Sequence, residues 1–223
     1  MPAVEALERA YRIERLDGFT SRALFQQVAN LHIDSIHGGI MEALGPNFVA
    51  SLYRQLVGRS DALIFIALQE GRAIGFVAGS SNVRRSLHNI GLAGFGALAA
   101  AACASAWRPS ILWKILRTAG YFIRRTEGPA AGSVADGASD PARAELLAIA
   151  VAAEARGLGV GTALVTALEQ QFQDCAVAAE YFVSTNREET GSNAFYRASG
   201  FTLVGLKRHH DLMLNIYKKK LAA

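Results

Sequence analysis

The stretch whose residue types and spacing carry chemistry is Arg156-Gly-Leu-Gly-Val-Gly161, between an apolar run at 146–151 and an amphipathic segment at 162–172. A strand feeding a glycine-rich turn into a helix N-terminus presents N–H groups that have no intrahelical acceptor, and the peptide dipoles add a fraction of positive charge there. Gly157, Gly159 and Gly161 keep side chains off the turn, so an anion can approach the amides of Gly157, Leu158, Gly159, Val160, Gly161 and Thr162. Arg156 adds a full charge, and the ensemble reads as a pyrophosphate seat. Leu164, Val165, Leu168 and Phe172 recur at the spacing of one buried face, with Thr166, Glu169, Gln170 and Gln173 turned outward. The turn is therefore anchored in a core.

Three nucleotide-binding readings compete, and spacing separates them. A phosphate-binding loop of the Walker type needs Lys followed by Ser or Thr after its last glycine, but this chain has Thr162-Ala163. A dinucleotide fingerprint needs Gly-x-Gly-x-x-Gly/Ala; here Leu164 occupies the third position, and Glu180 precedes the next strand instead of ending it. What remains, Arg156-x-x-Gly159-x-Gly161 after a strand, resembles the acyl-CoA-binding motif of the GNAT acyltransferase superfamily. The bland alternative is an ordinary glycine-rich turn. A second motif follows in order: the apolar run 181–184, Thr185-Asn186, and then Ser192-Asn-Ala-Phe-Tyr-Arg-Ala-Ser-Gly-Phe201. A short helix carrying Phe195-Tyr196, stopped by Gly200 and followed by Phe201, is similar to the GNAT pattern Phe/Leu-Tyr-x-x-x-Gly-Phe. The resemblance is strong over 143–205, looser over 11–81 and absent between them.

With 223 residues, 51% hydrophobic and 19% charged, the chain can bury a sizeable core, and one domain over 1–223 is the simplest reading. Its core is expected at 10–85 and 143–218, with 86–142 as a helical insertion and linker. Charges scattered through residues 1–17 break the uninterrupted apolar region that a secretory signal requires, so a cytoplasmic enzyme is expected. Cys103 and Cys175 form no disulfide framework or metal pattern, the expectation being two packed thiols and no metal. Net charge is +4, but the excess lies in scattered Arg pairs and Lys218-Lys219-Lys220 without interleaved aromatics, which argues against nucleic acid. A polyanionic cofactor accounts for the balance equally well.

Elements must position these residues. Alternation over 11–15 reads as a first strand, closed by Asp17-Gly18. Thr20 or Ser21 caps a helix whose apolar face includes Leu24, Phe25, Val28, Leu31 and Ile36, ended by Gly38-Gly39. Gly45-Pro46 begins another, with Phe48, Leu52 and Leu56 on one side. Residues 62–67 and 73–78 are apolar strands about the turn Glu70-Gly71-Arg72. This order is similar to the first half of a GNAT domain, and the last strand is expected at 212–217. The resemblance implies an α/β (α+β) fold, a mixed and mostly antiparallel sheet flanked by helices.

Between 81 and 143 runs an unusually long connection. Residues 91–107 are rich in Ala and Gly, too short and too weakly apolar for a membrane span of roughly 20 residues. Residues 111–125 are amphipathic and basic, which fits a helical lid on the sheet or peripheral contact with an anionic membrane. Residues 128–141 read as a linker.

The resemblance also implies chemistry. The main chain of Ile149, Ala150 and Val151 would pair with pantetheine amides, and Asn193 and Asn186 would hydrogen-bond the pantetheine arm or its phosphate end. Tyr196 would stand near the departing sulfur. A tyrosine of pKa about 10 handing its proton to a thiolate of about 8.5 runs uphill by roughly 2 kcal/mol, so donation of a hydrogen bond is the better role. An alkylammonium near pKa 10.4 must lose a proton at a cost of about 4.6 kcal/mol at pH 7. Glu145, at the start of the central strand, is the candidate base, acting through water. His32, His37, His88, His209 and His210 lack zinc-site spacing and read as surface or polar-pocket residues. The reading is thus an acetyl-CoA-dependent N-acetyltransferase acting on a small primary amine, an amino sugar among the candidates, by direct transfer in a ternary complex. An acyl-CoA-sensing module and a membrane-peripheral protein are the alternatives.

Overall fold

The computed structural model describes residues 11–36, 40–58, 61–82, 143–175, 179–209 and 212–221. The expected insertion, linker and membrane-contact segment, together with Cys103, His37, His88 and His210, lie outside them.

The described chain opens with β1 (Arg12–Arg15) and α1 (Arg22–Ser35). Ser21, not Thr20, caps α1: its hydroxyl accepts the Leu24 N–H, while Thr20 Oγ1 accepts the Asp17 N–H at 2.9 Å in the preceding turn. A short helix, α2 (Ile40–Leu44), precedes α3 (Pro46–Val57), where Pro46 starts the helix as its sequence suggests. β2 (Ala62–Gln69) and β3 (Arg72–Ser80) form the expected hairpin, with Glu70 and Gly71 both at positive φ. β4 (Glu145–Val151), α4 (Val160–Asp174) and β5 (Glu180–Asn186) form a parallel crossover unit. Then come α5 (Thr190–Ala198), β6 (Thr202–His209) and β7 (Leu212–Lys220).

The sheet order is β1-β2-β3-β4-β5-β7-β6, antiparallel except for the pair β4 and β5. Alternation sends residues to two apolar layers. α4 covers one face with Leu164, Val165, Leu168 and Phe172, joined by Tyr181, Tyr196, Phe201 and Tyr217. α1 and α3 cover the other with Phe25, Val28, Leu52 and Tyr53 against Ile64, Ile66 and Phe76. Two elements differ from expectation. Residues 202–209 form a full edge strand where the sequence pattern predicts no element, and Cys175 is an exposed thiol at the C-terminus of α4 rather than a packed one.

The seam between β4 and β5 positions the site. Glu145 pairs with Phe182 and Leu146 with Val183, and the strands then part. On the other edge β4 stays bonded to β3 as far as Val151, with a register shift that leaves Leu147 as a bulge opposite the step from Ala78 to Gly79.

Candidate functional site

A cleft of about 600 Å³ opens where β4 and β5 diverge, within the range of small-molecule sites. Ile149, Ala150 and Val151 line it from β4, and the turn from Ala155 to Thr162 lines it except at Leu158, whose side chain is about half exposed. Gly157 and Gly159 hold φ of 77° and 79°, with open space where a Cβ would stand. Gly161 serves differently: a Cβ there would meet the Phe195 ring at 3.1 Å, so its bareness allows α5 to pack against the first turn of α4. The first bond of α4 runs from Ala163 N–H to the Gly159 carbonyl. The N–H groups from Gly157 to Thr162 find no acceptor among the described residues, and Gly159 caps the helix without a side-chain bond. Arg156 Nε donates to the Val151 carbonyl at 3.1 Å, which ties the guanidinium to the end of β4 while its terminal nitrogens bond to no other described residue. Free N–H groups at a helix start with a cation beside them are an arrangement that suits an anion.

Below the seat, the ladder decides which main-chain groups face the gap. Ala152 N–H donates to the Ile74 carbonyl at 2.9 Å, and the Ala150 carbonyl lies 3.2 Å from where a Gly75 Cβ would be. Antiparallel alternation therefore commits Ala150 to β3 and turns the N–H and C=O of Ile149 and Val151 toward the open edge. Of the three residues expected to offer main-chain bonds, Ile149 and Val151 face the open edge, with the Val151 carbonyl accepting from Arg156, and Ala150 faces β3 while lining the cleft.

Tyr196 closes the far wall. It is 5% exposed and lines the cleft, and its hydroxyl makes no hydrogen bond to another described residue. Its ring sits edge-on to Phe195 and Phe201, at 5.5 and 5.4 Å, and lies 5.9 Å from Tyr217. α5 ends in a paired cap: Gly200, at φ 85°, donates its N–H to Arg197 and Phe201 donates to Tyr196. Phe201 is the residue whose contact with Tyr196 completes that cap. The spacing Tyr-x-x-x-Gly-Phe is therefore a device for clamping one ring. Burial pushes the Tyr196 hydroxyl well above its ordinary range, so it stays protonated and can donate.

A strand, a bare turn with unclaimed amides, an unpaired strand edge and a protonated hydroxyl thus share one cleft. The acetyltransferase (GNAT) family model matches residues 30–201, spanning the whole of it. The chain belongs to the acetyltransferase (GNAT) family. It is an acyltransferase by that membership. No curated protein matches the chain in sequence. Solved structures share the GNAT fold at low identity. The ribosomal-protein-S18-alanine N-acetyltransferase from Escherichia coli is 14% identical with a TM-score of 0.54, covering 96% of this chain and 95% of that one. A Thermoplasma acidophilum PaiA N-acetyltransferase, solved with coenzyme A, is 14% identical with a TM-score of 0.54, covering 94% and 99%. The aminoglycoside N-acetyltransferase AAC(6')-Iy, solved with CoA, is 15% identical with a TM-score of 0.56, covering 90% and 93%.

Against this GNAT frame, the side chains of Asn193 and Asn186 are bonded within the protein, and Glu145 stands at the start of β4. Asn193 is 3% exposed and its amide is fully engaged inside the protein. Asn186 spends its side-chain oxygen on the Glu188 N–H at 3.1 Å and does not line the cleft. Glu145 lies at the root of the seam, 3.9 Å from Arg143, outside the lining. Glu169, expected to face outward, accepts from Tyr181 and lies 2.6 Å from Lys219 Nζ. Sequence reasoning missed Ser35, Glu189, Gly191, Ser192 and Phe195 as lining residues. Glu189 to Ser192 are signalled by their place at the start of the Phe-Tyr helix; nothing local signals Ser35, which distant packing brings there. Among the described residues no cluster of metal-binding side chains occurs, and no helix is long and apolar enough to cross a membrane.

Proposed function

We propose that the protein moves the acetyl group of acetyl-CoA to the nitrogen of a small primary amine by direct attack in a ternary complex. The observation that carries this reading is the coincidence, in one cleft, of the unclaimed amides from Gly157 to Thr162 and an edge of β4 at Ile149 and Val151 that no strand covers, where only the Val151 carbonyl is taken, by Arg156. The first suits a diphosphate and the second an extended chain of amides. The pantetheine arm would lie as a short extra strand on β4, bringing the thioester toward the root of the seam. Tyr196 would donate a hydrogen bond to the sulfur as its charge develops, a role that its raised pKa favours over outright proton transfer. As the amine nitrogen bonds to the carbonyl carbon and the carbon–sulfur bond breaks, the nitrogen must release a proton. Glu145, at the start of β4 beside the point where β4 and β5 part, is assigned to receive it through water. Amino sugars are the first acceptors to test.

The test measures coenzyme A binding by calorimetry, then free thiol released from acetyl-CoA across a panel of glucosamine, kanamycin, spermidine and an alanine-initiated peptide. Saturable binding with amine-dependent release is expected. Binding without release from any amine would favour a sensing module, and no binding would overturn both readings.

A further inference from the structure

Asn193 is the polar side chain that this chemistry leaves unused, and it is engaged more completely than any ligand contact would allow. Its Nδ2 reaches the carbonyls of Asn186, Arg187 and Glu189 at 2.9, 3.3 and 2.7 Å. Its Oδ1 accepts from Asn215 Nδ2 at 2.6 Å and from the Tyr217 hydroxyl at 2.8 Å. An amide has two N–H donors and two acceptor lone pairs, so no capacity remains. Its orientation is fixed by chemistry: three carbonyls around one atom require the nitrogen there.

The partners define what the amide does. Three belong to the chain entering α5, and α5 has no side-chain cap of its own. The other two belong to β7, which pairs with β5 from Leu214 to Lys220. Asn193 thus joins the start of α5 to the sheet. Asn193 and Tyr196, three residues apart, are the buried residues of α5, and the Tyr196 ring also lies against Tyr217. A rotation of α5 by about 10° would move an atom about 8 Å from the helix axis by about 1.4 Å. Displacements of about 1 Å at a reacting centre cost on the order of 100-fold in rate.

We propose that Asn193, with Asn215 and Tyr217 behind it, is a positioning residue that sets the rotation of α5 and thereby the place of the Tyr196 hydroxyl in the cleft. This rests on the role given to Tyr196 in the proposed reaction. The cap at Gly200 and Phe201 holds one end of the helix, and the Asn193 amide holds the other.

The experiment is a double-mutant cycle with acetyl-CoA and the best acceptor of the amine panel, accompanied by calorimetry with coenzyme A. Asn193→Ala should lower kcat by about 10-fold or more and leave the coenzyme A dissociation constant within about 2-fold. In a Tyr196→Phe background the same substitution should cost little further kcat, because the hydroxyl it places is gone. Tyr217→Phe keeps the ring and removes one bond to Oδ1; it should lower kcat by about 3-fold, again only when Tyr196 is present. That variant carries the test if Asn193→Ala fails to fold. Equal losses in both backgrounds would overturn the proposal, as would a 10-fold or greater loss of coenzyme A affinity at unchanged kcat. Unchanged turnover in Tyr196→Phe alone would remove the catalytic role first and the positioning claim with it, which separates the two failures.

Discussion

Along the turn from Gly157 to Thr162 the main-chain N–H groups find no acceptor among the described residues, whereas on the facing helix the Asn193 side chain is bonded to Asn186, Arg187, Glu189, Asn215 and Tyr217. Both sets of polar groups belong to one cleft region, and both include residues that a family resemblance assigns to the cofactor. The difference teaches how to sort them. Donors that the fold leaves without acceptors are available to a ligand; groups that the fold has already satisfied shape the space around it. Tyr196 is the exception on the satisfied wall: its ring is clamped while its hydroxyl is unclaimed.

The sharpest way to break this comparison is to remove the unclaimed hydroxyl. Tyr196→Phe should lower kcat by about 10²-fold or more, the size seen when one donor to a developing charge is lost. Coenzyme A affinity by calorimetry should stay unchanged. Away from the cleft, His32 extends the comparison to a satisfied pair. Its Nδ1 lies 2.7 Å from the Tyr53 hydroxyl, and burial lowers its pKa from 6.5 to about 4. The unfolded chain therefore takes up that proton at a higher pH than the folded protein does. The stabilising contribution of the neutral ring is complete above pH 6.5 and is lost as pH falls toward 4, a change of about 3 kcal/mol in all. Urea unfolding between pH 7 and pH 4 should show this slope, and His32→Leu should flatten it; an equal slope in the variant would assign it to another group. The smallest effect is expected at Arg156, which stands exposed at the turn. Arg156→Ala should weaken coenzyme A binding by about 10-fold, more at low salt than at high, because a charge at the surface is screened. An effect independent of salt would mean that the residue acts by holding the Val151 carbonyl instead.

Where local pattern and tertiary role coincide, sequence was sufficient. The glycine turn needs positive φ and bare backbone, and the ring clamp needs Gly200 and Phe201 at fixed offsets from Tyr196, so residue types alone disclose both. Asn193 shows where this stops. An amide that grips a ligand and an amide that grips the fold are the same residue, and only distant Asn215 and Tyr217 decide between them. The Ala150 main chain is lost to β3 for a similar reason, since the ladder's phase is set by another strand. β6 was illegible because apolar Leu203, Val204 and Leu206 show no alternation and all remain about half exposed. The two-residue offset at the start of α4 arises because Val160 and Gly161, placed with the turn by their glycine neighbours, already belong to the helix.

β4 and β5 are registered through Glu145 with Phe182 and Leu146 with Val183, and no further. Strands β1 to β4 and β5 to β7 thus share one short ladder, and the apolar layer under α4 carries the rest of the join, from Leu63 and Val77 to Tyr181 and Tyr217. An extended guest laid along Ile149 and Val151 would act as a splint across that join.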